Sequence, residues 1–414
     1  MASRDHADGI ARARALGAFV ELYPPGPGIP VAVKDTIDIA GQTVRSGTAG
    51  LGLRTPTRDA ECWTRLRETG HVALGRTRVP ELTWSVRTPG CANPWHPGRD
   101  AGGSSGGSAV AVATGAAPVA LGTDTGGSIR IPAALCGVAG LRPTHGAVPL
   151  AGVTPMAPSM DTVGPIAATA RECLRLFEIL SGTRAGSIGP VAGLRVGLPA
   201  QLWVGKVDPE VARLVDAAAE ALRAAGVKLV DVELPLARRL ARGAGYTIML
   251  AESARHWWSA YRDDPAGLTG RAAEMLRAGS LVGEAEYAEA LARAAAVRGE
   301  LDEVFDAVNA LLLPTVPVTA APTDADSVTV GGREEPIETA YYRLTALASV
   351  TGHPALTVPA GHSADGLPVG AQLVGPRGAE ALLCALGETI EQAGQFRDRP
   401  RAGDKTGDAP ERRR

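Results

Sequence analysis

Near the start of the chain, Ile10, Ala13, Leu16, Phe19 and Val20 fall at helical spacing and predict a helix over residues 8–23, stopped by Pro24-Pro25-Gly26-Pro27. The period then changes. Residues 29–39 are mostly β-branched or apolar and read as a buried strand, interrupted by Lys34. A helix over 59–69 and a short strand over 72–74 follow, and the proline- and glycine-bearing stretch 88–101 reads as loop. Residues 107–117, almost all small, predict a helix that neighbours can approach closely. Further on the pattern gives a helix over 168–181, a strand over 193–198 and a helix over 208–226. The last has Asp208 as N-cap, Pro209 in the first turn, Glu210 near the positive end and Gly226 as the stop. A strand over 227–234, alanine-rich helices over 236–262 and 284–309, strands over 311–317, 355–360 and 367–375, and helices over 336–351 and 378–393 complete the series.

With 414 residues the chain has room for one large α/β domain or two ordinary ones. The charged stretch 396–414 lacks apolar periodicity and is expected to be disordered. Arginine and glutamate on the alanine-rich helices read as solvated faces, and Trp257-Trp258 as core packing rather than pocket wall. A net charge of −2 leaves no electrostatic footprint for nucleic acid or an anionic membrane, which makes a small neutral molecule the expected partner. The five cysteines, Cys62, Cys91, Cys136, Cys173 and Cys384, form no C-x-x-C pair and read as reduced, buried thiols. Residues 1–25 lack the apolar core of a signal peptide and no 18-residue apolar run occurs, so a soluble cytoplasmic protein is expected. Neither H-E-x-x-H nor G-x-x-x-x-G-K-[ST] occurs, and 47–52 lacks the spacing of a dinucleotide fingerprint. No metal and no cofactor are therefore expected.

The chemistry concentrates in residues 102–131, GGSSGGSAVAVATGAAPVALGTDTGGSIRI. Two glycine-serine turns, 102–108 and 122–128, frame a run of small residues, and glycine at this density suits backbone that approaches a ligand closely. The second turn leads into a helix, so successive N–H groups of Thr125, Gly126, Gly127 and Ser128 are expected to converge as an oxyanion hole around the Ser128 hydroxyl. Ser128 needs a base, and the candidate upstream is Lys34, in the apolar run IPVAVKD; a strand lysine by itself would more often snorkel or pair with Asp35. Asp124 and Arg130 flank the turn and are placed to tie its ends together. Residues 102–106 formally fit G-x-S-x-G, but the nucleophile elbow needs a buried strand directly before it, and the preceding segment is turn-rich.

These pieces together resemble the amidase signature hydrolases: VAVKD around Lys34, GGSSGGS around Ser104, GTDTGGSIR around Ser128, then PAALCGVAGLRPT. Weaker likeness runs on through 155–165, 310–317 and 352–376. The resemblance implies an α/β fold with a mixed, twisted sheet between layers of helices. It also implies a short helical lead (1–28) and one catalytic domain (29–395), with the signature core over about 29–185 and a substrate-side helical insertion over about 200–310. It assigns catalysis to Lys34, Ser104 and Ser128, with Ser104 relaying a proton between the other two, and gives Ser105, Asp124 and Arg130 the task of holding the loop. It further implies a cis peptide between Gly103 and Ser104, and a small carboxamide, or an ester, as substrate. The lead is shorter than that of many relatives, so family-type use of N-terminal helices is in question and a homodimer stays open. An alternative within the resemblance is the glutaminase subunit of a tRNA-dependent amidotransferase. Those subunits usually carry glutamine where Ile131 and Thr162 stand here. An acyl-transferring, amide-forming enzyme on the same scaffold is a further variant. The expected pocket walls are 82–84, 155–160 and the helices of 236–290.

Overall fold

The computed structural model describes residues 4–48, 50–186 and 189–394, so the expected disordered tail lies outside the described residues. Among the described residues an 11-stranded mixed sheet forms the centre of the fold. Its spatial order is Phe19–Leu22, His71–Thr77, Ile29–Lys34, Val119–Asp124, Thr162–Ala167, Ala139–Arg142, Ala355–His362, Pro368–Val374, Ala310–Pro314, Arg195–Leu198 and Lys228–Asp231. Ile29–Lys34 pairs in parallel with strands on both sides, while the strands at the centre are antiparallel. Helices cover both faces, as the expected α/β sandwich requires.

The two-residue period of Ile29–Lys34 decides which way each side chain goes. Val31 and Val33 enter a core made with Leu66, Leu176, Phe177 and Leu383 from the helices Glu61–Glu68, Ala170–Ser181 and Glu380–Gly394. Ala32 faces the opposite core, built from the small-residue helix Gly106–Ala113 and from Ile129 and Ala133. Lys34 shares the Ala32 face by parity, which aims it at the glycine-serine turns. Glycine is required where these turns meet their neighbours. A Cβ on Gly103 would sit 2.5 Å from the Arg87 carbonyl oxygen, and one on Gly107 2.4 Å from that of Ala18.

Several elements differ from the sequence pattern. The lead helix ends at Ala15, and Phe19–Leu22 is a strand antiparallel to His71–Thr77. Gly17 makes the turn between them at φ +75°, against the Gly90 carbonyl. The strand over 29–39 stops at Lys34, because the Lys34 carbonyl accepts from the Thr36 and Ile37 amides and turns the chain. The helix over 336–351 is two, Ile337–Tyr342 and Ala346–Thr351, with Thr345 Oγ1 donating to the carbonyls of Gly126 and Tyr342 between them. A third helix, Gly270–Ser280, lies between the two alanine-rich ones, Pro235–Asp263 and Glu284–Phe305. The strands Ala139–Arg142 and Thr162–Ala167 also escape the pattern. They are buried throughout and carry glycine, arginine or proline instead of an alternating pattern. The 208–226 helix holds as read: it runs Pro209–Ala224, Asp208 accepts from the Glu210 amide, and Gly226 follows at φ +88°. Trp257 and Trp258 are half-buried against the helical core, and all five cysteines are buried free thiols.

Candidate active site

Three segments meet at the end of Ile29–Lys34. Lys34 is fully buried, and its Nζ lies 2.7 Å from Ser104 Oγ, 2.7 Å from Thr123 Oγ1 and 3.3 Å from the Thr123 carbonyl oxygen. Burial disfavours the ammonium and lowers its pKa from 10.5 to about 7, against the opposing pull of Asp124 and Asp161. Lys34 does not pair with Asp35. That carboxylate accepts from the Arg45 amide at 3.2 Å and stands 4.0 Å from Arg76 Nε. Burial raises Asp35 to about 6, with the Arg45 amide and Arg76 working against it.

Ser104 follows a cis peptide bond from Gly103. Ser105 Oγ donates to the Thr123 carbonyl at 3.2 Å, and the Ser105 amide to the Ser128 carbonyl at 3.1 Å, stitching the first turn to the second. Residues 122–124, expected as part of that second turn, close the strand Val119–Asp124 instead.

Asp124 then organises the loop. Its carboxylate accepts from the Gly127 amide (2.9 Å), the Ile129 amide (3.2 Å), Arg130 Nε and Nη2 (3.0 Å each) and Arg142 Nη1 (2.9 Å). The three charged side chains are fully buried. Burial by itself would raise the Asp124 carboxyl, but Arg130 and Arg142 hold it well below the usual range. Arg130 extends the network to the Thr345 carbonyl, Gln372 Oε1 and Ser349 Oγ. Asp124, Arg130 and Ser105 thus all make hydrogen bonds to or within the 123–130 segment.

The expected oxyanion hole needs one correction. The Gly127 amide, at φ +128°, donates to the Asp124 carboxylate three residues back in the chain, so it is committed to the loop. The amides of Thr125, Gly126 and Ser128 donate to no acceptor among the described residues. Ser128 is half-buried and lines a narrow pocket with Gly126. Its hydroxyl makes no hydrogen bond to Ser104 among the described residues, so of the two expected links only Lys34 to Ser104 is formed. Catalytic contacts of this kind often tighten only around substrate.

The pocket is lined by Thr83, Trp84, Ser85, Val86, Ile131, Met156, Tyr246, Met249, Arg271, Glu338 and Tyr342 besides Gly126 and Ser128. Trp84, Ser85, Arg271 and Glu338 also line an outer cavity of about 740 Å³, which makes them the threshold between the two. Glu338 is fully engaged there: Ser85 Oγ donates to it at 2.5 Å, the Val86 amide at 3.2 Å, and Arg271 Nε stands 3.3 Å away. Of the expected walls the pocket takes Thr83, Trp84, Met156, Tyr246, Met249 and Arg271, while Leu82, Ala157 and Met160 join the buried core and no residue of 284–290 lines it.

Thr123, Arg142, Asp161 and Tyr342 were not singled out from sequence. Asp161 accepts from Thr125 Oγ1 at 2.5 Å and from the Met156 and Ala157 amides, and burial raises its pKa. Thr123, Arg142 and Asp161 each carried a local signal, standing inside GTDTGGS, PAALCGVAGLRPT and residues 155–165, whereas Tyr342 carried none. Among the described residues no group of three or more His, Cys, Asp or Glu is placed to hold a metal ion, and no helix is long and apolar enough to cross a membrane.

The family model described as Amidase matches residues 3–384. A glutamyl-tRNA(Gln) amidotransferase subunit of Roseiflexus castenholzii is 32% identical over 440 residues, covering 95% of this chain and 88% of that protein. An amidase of Pseudomonas putida is 35% identical over 376 residues, covering 86% of this chain and 80% of that protein. A crystal structure of an amidase superposes with a TM-score of 0.88 at 32% identity, covering 94% of this chain and 95% of that one.

Proposed function

This chain belongs to the amidase signature family, whose members hydrolyse amide C–N bonds, and we propose that it cleaves small carboxamides with an uncharged, largely apolar acyl group through an acyl-serine intermediate. The observation that carries this reading is the buried Lys34 amine, 2.7 Å from Ser104 and with its pKa drawn down to about 7. A neutral amine donates to Thr123 and still keeps its lone pair for the Ser104 hydroxyl.

In this reading Ser128 Oγ attacks the amide carbonyl carbon, its proton passes to Ser104 Oγ, and the Ser104 proton moves to Lys34 Nζ. The amides at 125, 126 and 128 receive the oxyanion. When the C–N bond breaks, the proton returns through Ser104 to the departing nitrogen. Water then attacks the Ser128 ester by the same relay and releases the acid. With an amine in place of water the same acyl-enzyme would give transfer.

The pocket chemistry favours an apolar acyl group. Ile131, Met156, Met249 and the Tyr342 ring surround Ser128, and the one charged pair at the threshold, Arg271 with Glu338, is internally compensated. A second reading is glutamine hydrolysis within a larger assembly, favoured by the likeness to glutamyl-tRNA(Gln) amidotransferase subunits. The buried Ile131, where those subunits usually carry glutamine, weighs against it. Ser128→Ala should abolish both turnover of an apolar amide and labelling by a fluorophosphonate; retained turnover overturns the nucleophile assignment. Glutamine cleaved with a higher kcat/KM than any apolar amide, by the chain alone or with co-purifying partner proteins, would establish the second reading.

A further inference from the structure

The arginines of the alanine-rich helices read from sequence as a solvated face, but the fold gathers three of them. Arg238, Arg239 and Arg242 of the helix Pro235–Asp263 line one side of a groove of about 350 Å³, and Lys206 and Arg343 line the rest. Among the described residues the only carboxylate within ion-pair distance of these five cations is Glu335, 3.2 Å from Arg343 Nε and 4.0 Å from Arg242 Nη1. The groove therefore carries a local excess of about four positive charges on a chain whose net charge is −2. The cations feel one another: the Lys206 pKa is lowered by partial burial and then by Arg238 and Arg343. Lys206 is held in place, donating to the Gln201 carbonyl at 2.7 Å, and Arg343 donates to the Lys206 carbonyl. Leu202, Leu344 and Leu347 also line the groove and add apolar surface beside the cations.

We propose that this groove is a binding site for a small multivalent anion, a molecule bearing two or more phosphate or carboxylate groups. Its size matches an ordinary small-ligand pocket. Guanidiniums present paired donors to such groups and Lys206 adds a point charge. A monovalent anion would leave most of the repulsion in place, whereas a multivalent one relieves it.

The site also backs onto the catalytic loop. Arg343 stands between Tyr342, whose ring packs on Gly126, and Thr345, whose hydroxyl donates to the Gly126 carbonyl and whose own carbonyl accepts from Arg130. An anion that draws Arg343 toward the groove acts on both supports of Gly126, so occupancy changes turnover at Ser128.

The test titrates the full-length protein with inorganic pyrophosphate and, separately, citrate, at constant ionic strength set by chloride. Calorimetry and thermal melting read binding, and amide hydrolysis reads coupling. The proposal expects saturable one-to-one binding and a melting temperature raised by about 2–4 °C at saturation. Affinity should fall at least tenfold in the double variant Arg238→Gln/Arg239→Gln. The same charge change in Arg213→Gln/Arg223→Gln, on the helix Pro209–Ala224, should leave binding as it was. Tighter binding of pyrophosphate assigns the natural ligand to phosphates, and of citrate to carboxylates. Absence of saturable binding, or equal loss in both double variants, overturns the site. Saturable binding with kcat and KM unchanged overturns the coupling to Gly126. Because binding is read without substrate, these outcomes are separable from failure of the amidase reading.

Discussion

Replacing Lys34 with methionine should cost catalysis and gain stability at neutral pH. Lowering the lysine pKa from 10.5 to about 7 means that burial penalises the folded state. With about 1.4 kcal/mol per tenfold in proton affinity, that penalty is about 5 kcal/mol at pH 7 and below. The sign follows from proton counting. Between about pH 7 and 10.5 the unfolded chain holds the lysine proton and the folded chain does not, so the lysine's penalty shrinks as pH rises through this window. Methionine fills similar volume without charge, but it leaves the Ser104 and Thr123 hydroxyls without their partner, a loss of roughly 1–3 kcal/mol. Taking about 2 kcal/mol for that loss, the balance is a variant about 3 kcal/mol more stable than the parent at pH 7, with a crossover near about pH 9 and a less stable variant above it. Paired melts of parent and variant from about pH 6 to 10 check this, since the difference cancels other titrating groups. In parallel, kcat/KM of the parent should rise through an apparent pKa of about 7, standing near a tenth of its plateau at about pH 6. The variant should lose roughly 10²–10⁴ in kcat/KM. A variant less stable than the parent by the same amount at every pH, or a flat parental profile between about pH 6 and 9, would refute the neutral-amine argument.

Thr123→Val removes one of the two hydroxyls that hold Nζ; it should move the activity profile toward acid by up to about one pH unit and lower kcat severalfold, as read by a pH–rate titration. Asp124→Asn leaves Arg130 and Arg142 buried without a counter-charge, and should destabilise by about 3–5 kcal/mol in denaturant unfolding while loosening the 125–128 loop. Burial raises the Glu391 pKa to about 8, opposed by the Ala170 amide and assisted by Glu388 and Glu172. Between about pH 4.5 and 8 the unfolded chain has released this proton and the folded chain keeps it, so the group's contribution to stability falls as pH rises. Glu391→Gln keeps an acceptor for the Ala170 amide and removes that fall, so its advantage in melting temperature should grow from about pH 5 to 8 and level off above.

Much of the site was legible because its signals are local. A lysine in an apolar strand and two glycine-serine turns announce backbone built for close approach, and Asp124 with Arg130 announces a tied loop. The 208–226 helix was legible for the same reason, its cap, first-turn proline and terminal glycine all lying within a turn of its ends. The misses share a cause as well. Phe19–Leu22 follows helical spacing but is a strand, because Gly17 turns the chain and His71–Thr77 offers an edge to pair with. The split at 343–345 depends on the Gly126 carbonyl, more than 200 residues away in the chain. The commitment of the Gly127 amide depends on how the Asp124 carboxylate is aimed by Arg130 and Arg142.

The sequence by itself determined which groups are available for chemistry and where the backbone bends, since both follow from residue type and from interactions within a few positions. Only the tertiary structure decided that Lys34 loses water and with it much of its proton affinity, that Thr123 shares the amine, that Ile131 and Tyr342 wall the pocket, and that scattered arginines converge in one groove. Desolvation and charge clustering depend on what surrounds a group in three dimensions, and segments hundreds of residues apart supply those surroundings.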